Sequence, residues 1–189
     1  ADLIDADSTP LILWGRLLGQ PIERGHRCTY LDWREDFWRR ARDGGWRVFY
    51  LGGQPGVAER GALAVAERWP GVVIATRHGH FDMGGADNAA VLAEIEAFAP
   101  DVVFVGMGMP RQEAWIADNY ARLRRGVVFP IGAAFDYEAG ALATPPRWAG
   151  RKAPSRTTSR ISWRSWVCAT GYARCCAAWN LPISEYSLP

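Results

Sequence analysis

The sequence predicts an α/β fold: a doubly wound, mostly parallel sheet with helices on both faces. Three observations carry this. Four short runs, RVFYL (47–51), VVIAT (72–76), DVVFV (101–105) and VVFPI (127–131), are apolar almost throughout, without polar alternation. Strands of that kind are covered on both faces, as parallel strands are. Stretches with helical spacing separate each run from the next, and right-handed crossovers then wind the layers.

The elements follow in chain order. DADSTP (5–10) offers Ser8 or Thr9 as a helix N-cap with Pro10 at the first helical position, so a helix is expected over 10–18. A second helix is expected over 33–42. The first strand, 47–51, runs into GGQPG (52–56) and a helix over 57–69, with Pro55 suited to its first turn. The strand at 72–76 leads through RHGHFD (77–82) to a helix over 88–99, where Val91, Leu92, Ile95 and Phe98 share a face. The strand at 101–105 leads through GMGMPRQE (106–113) to a helix from about Arg111 to Leu123. The strand at 127–131 runs into GAAFDY (132–137).

A chain of 189 residues, 49% apolar, forms one domain by default and is not disordered. It has no run of 18 apolar residues, hence no expected membrane span. ADLIDADSTP is acidic and lacks Met, so the chain is expected to be a fragment that begins inside a longer protein. Cys28, Cys168, Cys175 and Cys176 form no Cys-x-x-Cys, which reads as a reduced, cytosolic protein without a zinc framework. From Arg147 onward seven basic residues face one acidic, a net +6, while the body carries 15 basic and 19 acidic, a net −4. Such asymmetry points to anions, membrane or nucleic acid as partners of the tail.

In doubly wound sheets a ligand lies beyond the carboxyl ends of the strands. Four Gly-rich or polar loops converge on that edge. In GGQPG, Gly52, Gly53 and Gly56 let the backbone approach a ligand, and the following helix offers free N–H groups to a phosphate; a tight turn without ligand is the other possibility. In GMGMPRQE, Gly106 precedes Arg111, Gln112 and Glu113 at a helix start. Arg111 suits a phosphate, and Gln112 with Glu113 can donate to and accept from a sugar or base edge. Glu113 serves equally well as a first-turn carboxylate. His78, His80 and Asp82 alternate on one side if the strand continues, but a polar loop lining the pocket, with His78 in it, is the better expectation than a metal site. In GAAFDY, Phe135 could stack on a base or sugar, and Asp136 could bind a ligand hydroxyl or cap the next turn.

Taken together, DADSTPLILWGRLLGQPI, VFYLGGQPGVAER, HGHF, PDVVFVGMGMPRQEAWI and GAAFDYEAG with TPPRW resemble the WecG/TagA/CpsF family of bacterial glycosyltransferases over about residues 1–150. The resemblance implies a Rossmann-like fold and inverting transfer of an N-acetylmannosamine-type sugar from a UDP-sugar to an undecaprenyl-diphosphate-linked acceptor, feeding cell-surface polysaccharide such as teichoic acid, capsule or exopolysaccharide. It implies no metal and no cofactor. It places the general base in the segment matching Ala6-Asp7-Ser8, hence at Asp7, with Ser8 standing where the family has Gly. It further implies a peripheral protein at the inner face of the plasma membrane, held there by a C-terminal appendage, with a homo-oligomer possible.

Two segments depart from the family. Its Thr-Pro-Asn segment falls before this chain begins. After Gly150 the match stops, so residues 1–150 are expected to be the transferase domain and 151–189 a divergent basic tail, ascribed to a frameshift near Arg151 and expected to leave the chain inactive or weakly able to bind UDP-sugar. A nucleotide-sugar or dinucleotide-binding domain without transferase chemistry is the alternative, although GGQPG lacks the Gly-x-Gly-x-x-Gly spacing. A nucleic-acid binder is disfavoured, because the body is acidic and no nucleic-acid motif occurs.

Overall fold

The computed structural model describes residues 9–23, 26–27, 29–123 and 126–144. Asp7 and the tail from 151 lie outside them. In chain order the elements are α1 (Thr9–Leu17), α2 (Tyr30–Asp43), β1 (Arg47–Gly52), α3 (Val57–Arg68), β2 (Val73–Arg77), α4 (Ala86–Phe98), β3 (Val102–Gly106), α5 (Arg111–Leu123), β4 (Val127–Pro130) and α6 (Ala134–Glu138). The four strands pair in parallel in the order β2-β1-β3-β4. The expected Rossmann-like α/β layer is thus present.

Successive residues of a strand face opposite sides of a sheet, and both sides here are apolar. Val48, Tyr50, Val102 and Phe104 meet Phe37 and Trp38 of α2, Val65 of α3 and Phe135 of α6. Phe49, Leu51, Val103 and Val105 meet Val91, Leu92 and Ile95 of α4 and Trp115 and Leu123 of α5. Full burial of each such side chain stabilises the fold by about 1.5–3 kcal/mol. Some of the polar groups drawn into these layers find partners. The Trp115 indole donates to Asn88 Oδ1 at 2.7 Å, and Asn88 in turn donates to Asn119 at 3.0 Å, tying α4 to α5.

The chain winds one way from β1 to β2, then crosses back over β1 to β3 and β4. Its direction therefore reverses between β1 and β3, and a doubly wound sheet opens a crevice at such a switch point. There Gly52 is in register with Gly106. A Cβ on Gly52 would lie 2.4 Å from the Gly106 carbonyl oxygen, so only glycine lets these two strand ends close.

Helix starts differ from expectation in places, α4 beginning at Ala86 rather than Asn88. α2 begins at Tyr30 rather than Trp33, because Asp32 reaches back to the Thr29 backbone N–H at 3.0 Å and starts the helix earlier. α3 begins at Val57 after Gly56, whose φ of 80° is left-handed, so Pro55 falls in the preceding turn and not in the helix.

Candidate active site

The order strand then helix puts each strand's carboxyl end beside the N-terminus of the following helix, and hydrogen bonds stitch the resulting loops together. The Gly53 N–H donates to the Gly106 carbonyl at 3.1 Å, the Gly79 N–H to the Gly53 carbonyl at 3.0 Å, and the Ile131 N–H to the Val105 carbonyl at 2.8 Å. Around them opens a cleft of about 670 Å³. Gly53 and Gln54 line it from the β1 loop; Gly79, His80 and Phe81 from the β2 loop; Gly106, Met107, Gly108 and Arg111 from the β3 loop; and Gly132, Ala133 and Asp136 from the β4 loop. All four strand-end loops meet there.

Arg111 opens α5, and its guanidinium is anchored. Nη2 donates to the Phe81 carbonyl at 2.6 Å and to the Gly79 carbonyl at 3.3 Å. These bonds fix a cation at the cleft wall while leaving further N–H groups for a ligand. The neighbouring His80 ring sits 3.2 Å from the Gly53 carbonyl through Nδ1.

Asp136 is carried by the short helix α6, and the last residue of that helix is locked to α2. Glu138 Oε1 accepts from the Tyr30 hydroxyl at 2.9 Å and from Arg34 Nη1 at 3.1 Å, and the Trp38 indole donates to the Tyr30 oxygen at 2.8 Å. Glu138 and Arg34 side chains are only 6% and 12% exposed, so this pair works in a low-dielectric setting. Burial, and next the Glu138 charge, push the Tyr30 hydroxyl well above the usual tyrosine range, keeping it protonated as a donor.

The sequence-derived residues take different places. Gly53, Gly106, Arg111 and Asp136 line the cleft. Gln112 and Glu113 follow Arg111 but pair with each other, Gln112 Nε2 donating to Glu113 Oε1 at 2.8 Å; Gln112 is buried, and its Oε1 has no partner among the described residues. His78 lies just past β2, with its Nδ1 buried and without a partner among the described residues. Gly56 caps α3, and Gly52 is buried between strands rather than open to a ligand.

Phe135 is a correction. Its ring is fully buried, stacked on Tyr50 at 3.8 Å between centroids, and pressed against Gly61 of α3. Both the burial and the occupied ring face deny it to a base or sugar; it anchors α6 instead. Tyr50 beneath it carries a buried hydroxyl with no partner among the described residues, and burial, then the charge of Asp136, raise its pKa. Residues 78–85 are not strand, so His78, His80 and Asp82 do not alternate along one. Among the described residues no group of three or more His, Cys, Asp or Glu side chains is placed to hold a metal ion.

Sequence reasoning did not single out Gln54, Phe81, Met107 or Gly108 as lining residues. Their only signal was position, in loops following apolar strands.

Comparison with known proteins agrees with this architecture. The family model "Glycosyl transferase WecG/TagA/CpsF family" matches residues 1–153. An N-acetylglucosaminyldiphosphoundecaprenol N-acetyl-beta-D-mannosaminyltransferase of Staphylococcus aureus strain MRSA252 is 32% identical over 146 residues, covering 77% of this chain and 56% of the relative. The protein of that name from strain NCTC 8325 is 31% identical over the same span and shares. The chain thus spans about half the length of the curated relatives it matches. With the family model covering most of its length, the chain belongs to the WecG/TagA/CpsF glycosyl transferase family.

Proposed function

We propose that this chain carries the site of a glycosyltransferase that moves an N-acetylmannosamine-type sugar from a UDP-sugar to a polyprenyl-diphosphate-linked acceptor, with inversion. The observation that carries the proposal is the convergence of all four strand-end loops on one cleft that holds an anchored guanidinium and a carboxylate, in a member of this family. The relatives' printed name describes the same kind of acceptor and sugar.

In this reaction the acceptor hydroxyl gives its proton to the Asp7 carboxylate as its oxygen attacks the anomeric carbon from the face opposite the diphosphate. The bond from that carbon to the diphosphate oxygen breaks, and UDP leaves with the electron pair. A hydroxyl attacks well only when its proton has an acceptor in the transition state, which contributes about 10²–10⁴-fold. Charge growing on the leaving diphosphate is met by Arg111 and by N–H groups of the glycine loops. Asp136 accepts from donor hydroxyl or ring N–H groups, and the unpartnered Gln112 carbonyl oxygen gains a donor when the sugar nucleotide binds. The protein works peripherally at the inner face of the bacterial plasma membrane, where such an acceptor resides; homo-oligomerisation is compatible with this arrangement.

Asp7→Asn provides the test. Release of UDP from UDP-N-acetylmannosamine with a prenyl-diphosphate-N-acetylglucosamine acceptor should fall at least about a hundredfold. Affinity for UDP should stay within about threefold, since the amide keeps the carboxylate's size and the lost charge repels the diphosphate less. Full turnover in the variant refutes the role of Asp7. Saturable UDP binding with no turnover in the wild type would instead fit the chain expected to be inactive through its divergent tail, or a binding domain without transferase chemistry.

A further inference from the structure

Helix α1 is apolar on the side it shows to solvent. Leu13, Trp14, Leu17 and the following Leu18 are 58%, 61%, 75% and 60% exposed, whereas Ile12 is fully buried. At 3.6 residues per turn these four side chains span an arc of about 140°, with Ile12 opposite its centre. A helix apolar all round belongs in a core or a lipid phase, and an exposed patch of this kind marks an interaction surface.

We propose that this face of α1 docks into the interface of a lipid bilayer. Charge supports that occupant: between Thr9 and Ile22 the sequence holds one charged residue, Arg16, and no acidic one, which suits an anionic lipid surface. Leucine and tryptophan on one face are the composition of a helix lying in the headgroup layer. Size argues against a second copy as the occupant. A nine-residue helix is about 14 Å long, while a stable pair needs about 800 Å² and 20–30 residues from each partner. In the sequence α1 starts two residues after Asp7. Resting on the proposed reaction, docking through α1 brings the transferase to the surface that carries a lipid-linked acceptor.

The test is co-sedimentation of the full chain with phosphatidylglycerol–phosphatidylethanolamine vesicles, read without any sugar donor. Leu13→Gln/Leu17→Gln should weaken partitioning at least tenfold, while Leu63→Gln, at a leucine 70% exposed on α3, should leave it unchanged. Wild-type protein that stays in the supernatant, or a double variant that sediments as well as wild type, overturns the proposal. So does a concentration-dependent dimer, seen by sedimentation velocity, that the double variant abolishes. Because this readout needs no turnover, loss of the proposed transferase activity would refute that reaction and leave the vesicle result standing. With a water-soluble short-chain acceptor, the double variant should keep wild-type turnover.

Discussion

Replacing Gly52 by alanine tests whether the two central strands close on each other at the switch point. The added Cβ would lie 2.4 Å from the Gly106 oxygen, 2.6 Å from its carbonyl carbon and 2.7 Å from its Cα. All three are backbone atoms, so no flexible side chain can swing away. Contact of ordinary length begins at 3.4 Å, leaving the strands about 1 Å too close. Parting them by that distance strains the core, at about 1–3 kcal/mol. It also breaks the Gly53 N–H to Gly106 carbonyl bond of 3.1 Å, at about 1 kcal/mol. Together these lower the melting temperature by about 6–12 °C for a domain of this size. Differential scanning calorimetry reads the stability and titration calorimetry the accompanying loss of UDP affinity. Gly84→Ala is the control, because its nearest neighbour, Asp82 Oδ1, is 3.7 Å away. A Gly52→Ala protein melting within about 2 °C of wild type would refute the close approach.

Glu138→Gln removes the charge that faces Arg34 and loosens the helix carrying Asp136. Breaking a buried pair on one side costs about 3–5 kcal/mol; with Arg34→Met the double variant should cost less than the sum of the singles in urea denaturation. The buried hydroxyls of Tyr30 and Tyr50, both shifted upward, make the fold sensitive to alkali. Above about pH 10 the unfolded chain releases protons that the folded chain keeps, so stability should fall by about 1.4 kcal/mol per pH unit for each tyrosine. Denaturation at pH 10 to 11.5 measures the slope, and Tyr50→Phe should roughly halve it.

The parallel sheet was legible because strands buried on both faces leave an unbroken apolar signature, and all four runs became strands. Loop positions at the strand ends followed from winding alone, and with them the placement of Arg111 and Asp136 along the cleft. The fate of Phe135 was not legible. An aromatic beside Gly-Ala-Ala reads equally well as a ligand platform or a core plug, and what decides is Gly61, a buried glycine inside α3 that makes room for the ring. α6 itself, five residues long, is too short for periodicity to show. The early start of α2 had a readable signal in Thr29-x-x-Asp32, the outline of a capping box. The exposed apolar arc of α1 was hidden for the opposite reason: a helix rich in leucine reads as core until its exposure is seen.

On the proposed function, the strand-end cleft binds a sugar nucleotide through Asp136 and Arg111. Calorimetric titration of UDP into wild-type protein and Asp136→Ala measures it most directly. Saturable one-site binding, weakened at least about tenfold in the variant by loss of a charged hydrogen-bond acceptor, is the predicted result. Absence of binding by the wild type, or equal affinity in the variant, would contradict it.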